Sequence, residues 1–496
     1  MKKYNGFSYS WGVPIIVGLI ARLYKLTGSS IWHDEGYTMW LLKYDFSDII
    51  ARTARDVHPP GYYLFSKIWV SVFSDSVFSI RFLSVLFSIG IIYFTYKIVV
   101  RLFNRRAAFW AAMFLALSPF MVRFAQEARM YGVVAFFTTL ASYYLVCFIQ
   151  ERKNKFLLPY GLAMFIAVYT QYYAFFVMLA HWLIISLCTP GFWEFRWQKS
   201  IKEKLYLFNP YWWLTSVALL ILYLPWFPVA YKQVTRVSTS YWIQPDWITM
   251  KTIPNSILQF TVFSHLDVLY DAPLEKILYW LIVTIFIGFT LGALFNKKWR
   301  GKALSLVIYG YLPMILVFIV SKLKTPIYQD RYFPFSAVAI FALWGVSIAW
   351  IKNKSVRVGM ALVILLVLIV GNYYMHHYTN HQMRQVFEAV SSQLEPGDNV
   401  VSGELYTFLD GIYYFGDGNL HFLSAPVDGY GETSLFYDQQ EKYLVSQGEL
   451  KQASNRIFVI GRTGDKEYFD EEYWSDYQGA IIFEENGLKA VCYSKD

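Results

Sequence analysis

The 496 residues are 56% hydrophobic and only 16% charged, against about 45–50% and 25% in soluble proteins. With 20% aromatics and three cysteines, the composition excludes disordered, collagenous and disulfide-stapled classes and leaves a polytopic membrane protein. The net charge of +9 is unevenly spread: from Tyr378 onward the chain carries 8 Lys+Arg against 20 Asp+Glu, a net of −12 that leaves +21 before it. Such asymmetry signals two environments rather than one nucleic-acid surface.

A helix crossing hydrocarbon needs about 20 apolar residues, because nothing in the lipid satisfies its backbone. Runs of this kind fall near 11–28, 78–100, 107–123, 131–149, 156–172, 173–189, 211–230, 273–295, 303–321, 334–351 and 357–376. They predict eleven spans, two of them separated only by a turn at Gln171-Tyr172-Tyr173. Lys2 and Lys3 and the connections Arg101 to Arg106, Glu151 to Lys155, Glu194 to Lys204, Asn296 to Lys302 and Lys352 to Arg357 are mostly basic. The positive-inside rule puts them in the cytoplasm, so the N-terminus is expected there and the tail on the extracytoplasmic face of the plasma membrane. The first run lacks a small-x-small cleavage site and reads as a signal anchor. Cys147 and Cys188 fall in spans and Cys492 stands alone in the tail, so no disulfide framework is expected.

The chain is therefore read as a transmembrane domain, 1–377, and an extracytoplasmic α/β domain, 378–496. In the tail, Gln385 to Leu394 has helical spacing, while Asn399 to Ser402 and Arg456 to Ile460 are short buried strands. Ala480 to Phe483 and Lys489 to Tyr493 form a hairpin around Asn486-Gly487. No nucleotide-binding glycine pattern and no internal repeat occurs.

The polar residues of interest lie on the outer side. The first outer loop, 29–77, is longer than a passive connection and too aromatic for disorder. It opens with Ile31-Trp32-His33-Asp34-Glu35-Gly36-Tyr37, which sets two adjacent carboxylates among apolar neighbours at the membrane surface. Adjacent acids also suit a solvated loop, but an aromatic setting raises a carboxyl pKa towards the range of a general base. Asp56-Val57-His58-Pro59-Pro60-Gly61-Tyr62-Tyr63 then leads into an amphipathic helix, Leu64 to Phe73, expected in the interface plane. A second outer segment, Arg123 to Tyr131, holds Glu127, Arg129 and Tyr131; an interfacial ion pair with snorkelling arginines is the plainer reading.

A third outer segment, Ser321 to Pro334, carries Lys322, Lys324 and Arg331 beside Tyr332, on the side where cations are unexpected. Arginine's planar fork suits a phosphate there, with ordinary headgroup contact as the alternative. His376, His377 and His381 read as an interfacial cluster rather than a metal site, and His181 as a packing residue.

The acidic pair after the first span, the His-Pro-Pro element before an interfacial helix and the Gln126-Glu127-Ala128-Arg129-Met130-Tyr131 segment resemble, in that order, the membrane-embedded glycosyltransferases of the C superfamily, GT-C. The branch it resembles holds the protein O-mannosyltransferases and the lipid A aminoarabinose transferase. The resemblance covers most of residues 1 to 335. It implies a GT-C fold with interfacial helices in the first outer loop, and inverting transfer of a sugar from a polyprenyl-phosphate donor to a glycan, lipid or protein acceptor. By the same resemblance Asp34 is the acid/base, with Glu35 and Glu127 as further catalytic carboxylates. Arg129, Arg331 and Lys324 would hold the donor phosphate, and His58, Tyr62, Tyr131 and Tyr332 would line the pocket. Gln171 departs from the histidine that relatives often carry there. A divalent metal ion on Asp34, Glu35, His58 or Glu127 stays open, since oxygen-rich spacing does not demand one. The rival from another class is a multispan transporter or flippase, which would place its polar groups near the bilayer midplane on broken, repeated helices; a third reading is an envelope sensor whose tail binds a ligand.

Overall fold

A computed structural model of the chain describes residues 10–187, 209–240, 243–262, 273–378, 383–416, 419–464, 466–470, 472–485 and 487–495. Lys2, Lys3, Cys188, the connection Glu194 to Lys204, His381 and Asn486 lie outside them. In chain order the helices are α1 (Gly12–Leu23), α2 (His33–Leu41), α3 (Phe46–Thr53), α4 (Gly61–Val72), α5 (Val77–Leu102), α6 (Arg105–Leu117) and α7 (Pro119–Arg123). Then follow α8 (Tyr131–Glu151), α9 (Leu157–Thr170), α10 (Ala174–Leu187), α11 (Pro210–Tyr223), α12 (Phe227–Ser240), α13 (Thr252–Val262) and α14 (Pro273–Phe295). The remaining long helices are α15 (Arg300–Leu323), α16 (Pro334–Trp350) and α17 (Lys354–Tyr378).

The chain forms two compact units, one of residues 1–24 with 81–378 and the other of residues 25–80 with 379–496. The first outer loop is thus grouped with the tail, whereas the linear reading divides the chain once, at 377.

In the helical unit α16 lies along α6, and α1 packs on α6 as well. The α6–α16 contact runs through Gly345, where an added Cβ would stand 2.5 Å from the Ala111 amide nitrogen and 2.6 Å from the Ala107 carbonyl oxygen. Small residues of this kind let helices approach closely where water does not drive association. Arg22 of α1 is buried: Nε donates to Ser88 Oγ at 2.7 Å and Nη1 to the Ala116 carbonyl at 2.8 Å, while Nη2 has no hydrogen-bond partner among the described residues. His181 shares 2.9 Å with Ser142 Oγ through Nε2 and stacks on Tyr309, in agreement with a packing role.

Among the described residues α5, α8, α15 and α17 are long and apolar enough to cross a membrane. Two expected spans are broken. The run 107–123 divides at Ser118 because Pro119 disfavours a helical residue before it; Ser118 is extended, and its Oγ caps the new turn at the Met121 amide, 3.3 Å away. The run 211–230 divides at Leu224 to Trp226, and α11 and α12 meet at 73°. The turn at Gln171-Tyr172-Tyr173 is present, since Gln171 is extended at the end of α9.

In the other unit the tail continues with α18 (Met383–Ser391), β1 (Asn399–Ser402), α19 (Leu405–Phe415), β2 (Leu420–Leu423), α20 (Gln440–Tyr443) and β3 (Leu444–Val445). It ends with α21 (Gln447–Ala453), β4 (Arg456–Arg462), β5 (Gln478–Glu485) and β6 (Leu488–Ser494). Sheet order is β3-β2-β1-β4-β6-β5, with β3, β2, β1 and β4 parallel and the β5–β6 hairpin antiparallel. Val401, Ile457, Val459, Val491 and Trp474 fill its core. The strands near 400, 457, 481 and 490 fall where hydrophobic runs put them; α19 and β2 have no counterpart in the linear reading.

The first loop is built into this domain. Arg52 of α3 is buried; its Nη2 donates to both oxygens of Asp438 at 2.9 and 3.0 Å, and its Nη1 to the Leu435 carbonyl at 2.8 Å. Trp40 of α2 stacks on Phe436 at 5.6 Å, and the Tyr44 hydroxyl donates to the Leu435 carbonyl at 2.7 Å.

Candidate functional site

The acidic pair is not in a loop but in the first turn of α2, where the helix dipole favours negative charge. Trp32 is extended and starts the helix, with the Glu35 amide donating to its carbonyl at 2.7 Å. The turn aims the two acids differently: Asp34 is half-buried, whereas Glu35 is 1% exposed. Trp32 and His33 lie ring to ring at 4.8 Å, and His33 against Tyr406 at 4.3 Å. The α2 helix rests on α19 through Gly36: a Cβ there would stand 2.4 Å from the Leu409 carbonyl oxygen and 3.4 Å from the Asp410 amide nitrogen. Only glycine admits so close a backbone approach.

That contact brings up a residue absent from the linear reading. Asp410 of α19 is buried, and its Oδ1 has no hydrogen-bond partner among the described residues. Burial holds its carboxyl well above the usual carboxylate range; Arg462 counters this, while Glu404, Glu35 and Asp34 add to it. An acid in the middle of the apolar run Leu405 to Phe415 is the sequence signal for it. His58 is half-buried just ahead of α4, and Tyr62 and Tyr63 are core residues, packed together at 5.4 Å. The outward face of α4 shows Ile68, Val72 and Phe73, as expected of an amphipathic helix.

The other candidates belong to the helical unit. Glu127 is buried and accepts from Arg123 Nε at 2.8 Å, an i,i+4 ion pair, while Ser84 Oγ donates to its backbone carbonyl at 2.8 Å. Arg129 and Tyr131 are buried beside it. The segment after α15 forms a short turn, Asp330–Tyr332. Its Tyr332 ring lies 6.1 Å from Tyr131 and 4.7 Å from Tyr173, so the segments 123–131 and 321–334 meet there through aromatic contact. Ser256 of α13 donates to Asp330 and shares a hydrogen bond of 2.8 Å with the Tyr328 hydroxyl. Burial pushes the Asp330 carboxyl up to about 6. Arg331 is half-buried, whereas Lys324 is exposed at the end of α15. Between α13, α14, α16 and α17 lies an apolar cavity of about 760 Å³, lined by Thr261, Phe286, Phe289, Trp344 and Met360 among others.

Chemically, the unit of residues 25–80 with 379–496 offers a half-exposed carboxylate flanked by a buried one, fit to take a proton. The helical unit offers buried cations and tyrosines, fit to hold an anion. Among the described residues no three His, Cys, Asp or Glu side chains are grouped so as to hold a metal ion.

The profile described as dolichyl-phosphate-mannose-protein mannosyltransferase matches residues 57–228. The fold is that of ArnT from Cupriavidus metallidurans, solved with undecaprenyl phosphate: TM-score 0.62 at 13% identity, covering 97% of this chain and 98% of that one. The apo form of that protein matches at the same TM-score and identity. The oligosaccharyltransferase of Archaeoglobus fulgidus, solved with zinc and sulfate, matches at a TM-score of 0.52 and 12% identity, over 98% of this chain and 73% of that one. No curated protein sequence matches the chain. Over residues 57–228 this chain is similar to the protein mannosyltransferase family, and its fold is similar to that of ArnT.

Proposed function

We propose that the chain moves a sugar from a polyprenyl-phosphate carrier to a hydroxyl-bearing acceptor, with inversion at the anomeric carbon, on the extracytoplasmic face of the plasma membrane. The observation that carries this reading is the acid pair in the first turn of α2, with Asp34 half-exposed over a buried Glu35. The acceptor oxygen bonds to the anomeric carbon as Asp34 takes its proton, and the bond from that carbon to the phosphate oxygen breaks with its electron pair leaving on the lipid phosphate. Glu35 and Glu127 offset the positive charge of an oxocarbenium-like transition state. Arg129 and Arg331 receive the phosphate, because preorganised cations act most where charge accumulates; Lys324, exposed at the end of α15, adds a further cation on the segment that bears Arg331. The undecaprenyl phosphate bound by ArnT supports a lipid donor, and the apolar cavity suits isoprenoid units. The sugar arrives already activated, so no nucleotide site is needed. The acceptor is a glycan, a lipid or a protein hydroxyl.

Membranes containing the full chain should transfer label from at least one radiolabelled polyprenyl-phosphate hexose or pentose. In Asp34→Asn, at equal abundance and insertion, the rate should fall by about 10²–10⁴. Wild-type turnover by that variant would rule out the mechanism.

A further inference from the structure

Gln171 is a buried polar side chain that the reaction above does not use. It ends α9 in an extended conformation, and Tyr172 and Tyr173 then turn the chain into α10. The turn is held on both flanks. The Tyr172 hydroxyl donates to Gln233 Oε1 of α12 and accepts from Trp226 Nε1 at 3.0 Å. The Tyr173 hydroxyl donates to the Ile327 carbonyl, and its ring lies 4.7 Å from Tyr332, the residue after Arg331. Gln171 is therefore fixed between the bent α11–α12 pair and the segment that bears Arg331.

Its side chain is 1% exposed, and among the described residues neither Oε1 nor Nε2 has a hydrogen-bond partner. Leaving both ends of a buried amide unpaired costs free energy that a merely structural residue would avoid, and leucine would fill the same space without that cost. What is missing is one donor and one acceptor. A phosphate only accepts and would leave Oε1 unpaired; an isoprenoid chain supplies neither. A hydroxyl supplies both.

We propose that Gln171 is a specificity-determining residue that reads a hydroxyl on the sugar of the lipid-linked donor. This rests on the function proposed above, and the test separates the two. A site that pairs with a hydroxyl rejects the analogue lacking it, because the amide is then left bare.

The measurement is binding of polyprenyl-phosphate mannose, glucose and galactose, of the monodeoxy forms of the tightest binder, and of bare polyprenyl phosphate, to the full chain in nanodiscs. Wild type should lose about 10-fold or more in affinity for one monodeoxy form. Gln171→Leu should bind parent and deoxy donors alike, with bare polyprenyl phosphate unchanged. Should Gln171→Leu not insert, Gln171→Glu, which keeps acceptors and loses the donor, is expected to narrow the same ratio. A variant that retains the wild-type ratio overturns the role of Gln171 and leaves the transferase reading standing; this is also the result if a fixed water, not a sugar, satisfies the amide. Wild type binding no sugar-bearing donor above bare polyprenyl phosphate overturns both.

Discussion

The acids of this chain differ in what burial does to them, and the difference is set one residue at a time. Asp330 sits in the turn after α15 and accepts a hydrogen bond from Ser256. Its pKa is raised from 3.8 to about 6, so the folded chain keeps a proton there that the unfolded chain gives up. Its contribution to stability is complete below pH 3.8, falls as pH climbs through about 6, and is level above that. Asp330→Asn cannot ionise but can still accept from Ser256. Its thermal midpoint should match wild type near pH 4 and exceed it above pH 6, and equal midpoints across the range would contradict this. The acids of the first loop could be read as a pair from sequence, but not that Glu35 would be buried and Asp34 half-exposed. That split follows from the turn of a helix, which points neighbouring side chains in different directions. Asp410 was hidden for a related reason: nothing in Leu405 to Phe415 says which helix will cover it.

At the scale of elements, proline and glycine decided where the linear reading failed and where it held. Pro119 cuts a hydrophobic run that looks continuous, and Ser118 caps the new helix in the same step. Pro59 and Pro60 do the opposite service, opening α4 at Gly61 where the amphipathic pattern begins. Gly36 fixes α2 on α19. Gly36→Ala would drive a methyl group into the Leu409 carbonyl, which is backbone and cannot swing away. The expected cost is about 1–3 kcal/mol, seen as faster proteolysis within 25–80 and within α19. A variant as resistant as wild type would show that the contact gives more easily than its geometry implies.

At the scale of the whole chain, the two compact units do not follow the order of the sequence. Residues 25–80 leave the membrane part and join the tail, and the tie is chemical as well as apolar. Arg52 pairs with Asp438, donates to the Leu435 carbonyl and lies 3.8 Å over the Tyr44 ring. Arg52→Ala removes all of these from a buried site, although the Tyr44 hydroxyl still donates to the Leu435 carbonyl. Unfolding of this unit should then be easier by about 3 kcal/mol, measured by urea titration of tryptophan fluorescence in the full chain. Arg52→Lys should recover only part of this, because a lysine cannot grip both Asp438 oxygens at once. A loss under about 0.5 kcal/mol, the range of ordinary surface substitutions, would mean that the aromatic contacts alone hold the loop.

Composition and hydropathy by themselves determined that this is a multi-pass membrane chain with an acidic α/β tail, because the bilayer imposes lengths and charge biases that survive in any linear count. Residue order also pointed to the acid pair, to Glu127 with Arg129, and to Arg331. Only the tertiary structure decided that the first loop folds as one unit with the tail, that Glu35 and Asp410 are buried within it, and that Gln171 is buried with no hydrogen-bond partner among the described residues. Burial and partnership depend on which distant segments meet, through contacts such as Gly36 on Leu409 or Arg52 on Asp438. No local pattern of residues records those meetings.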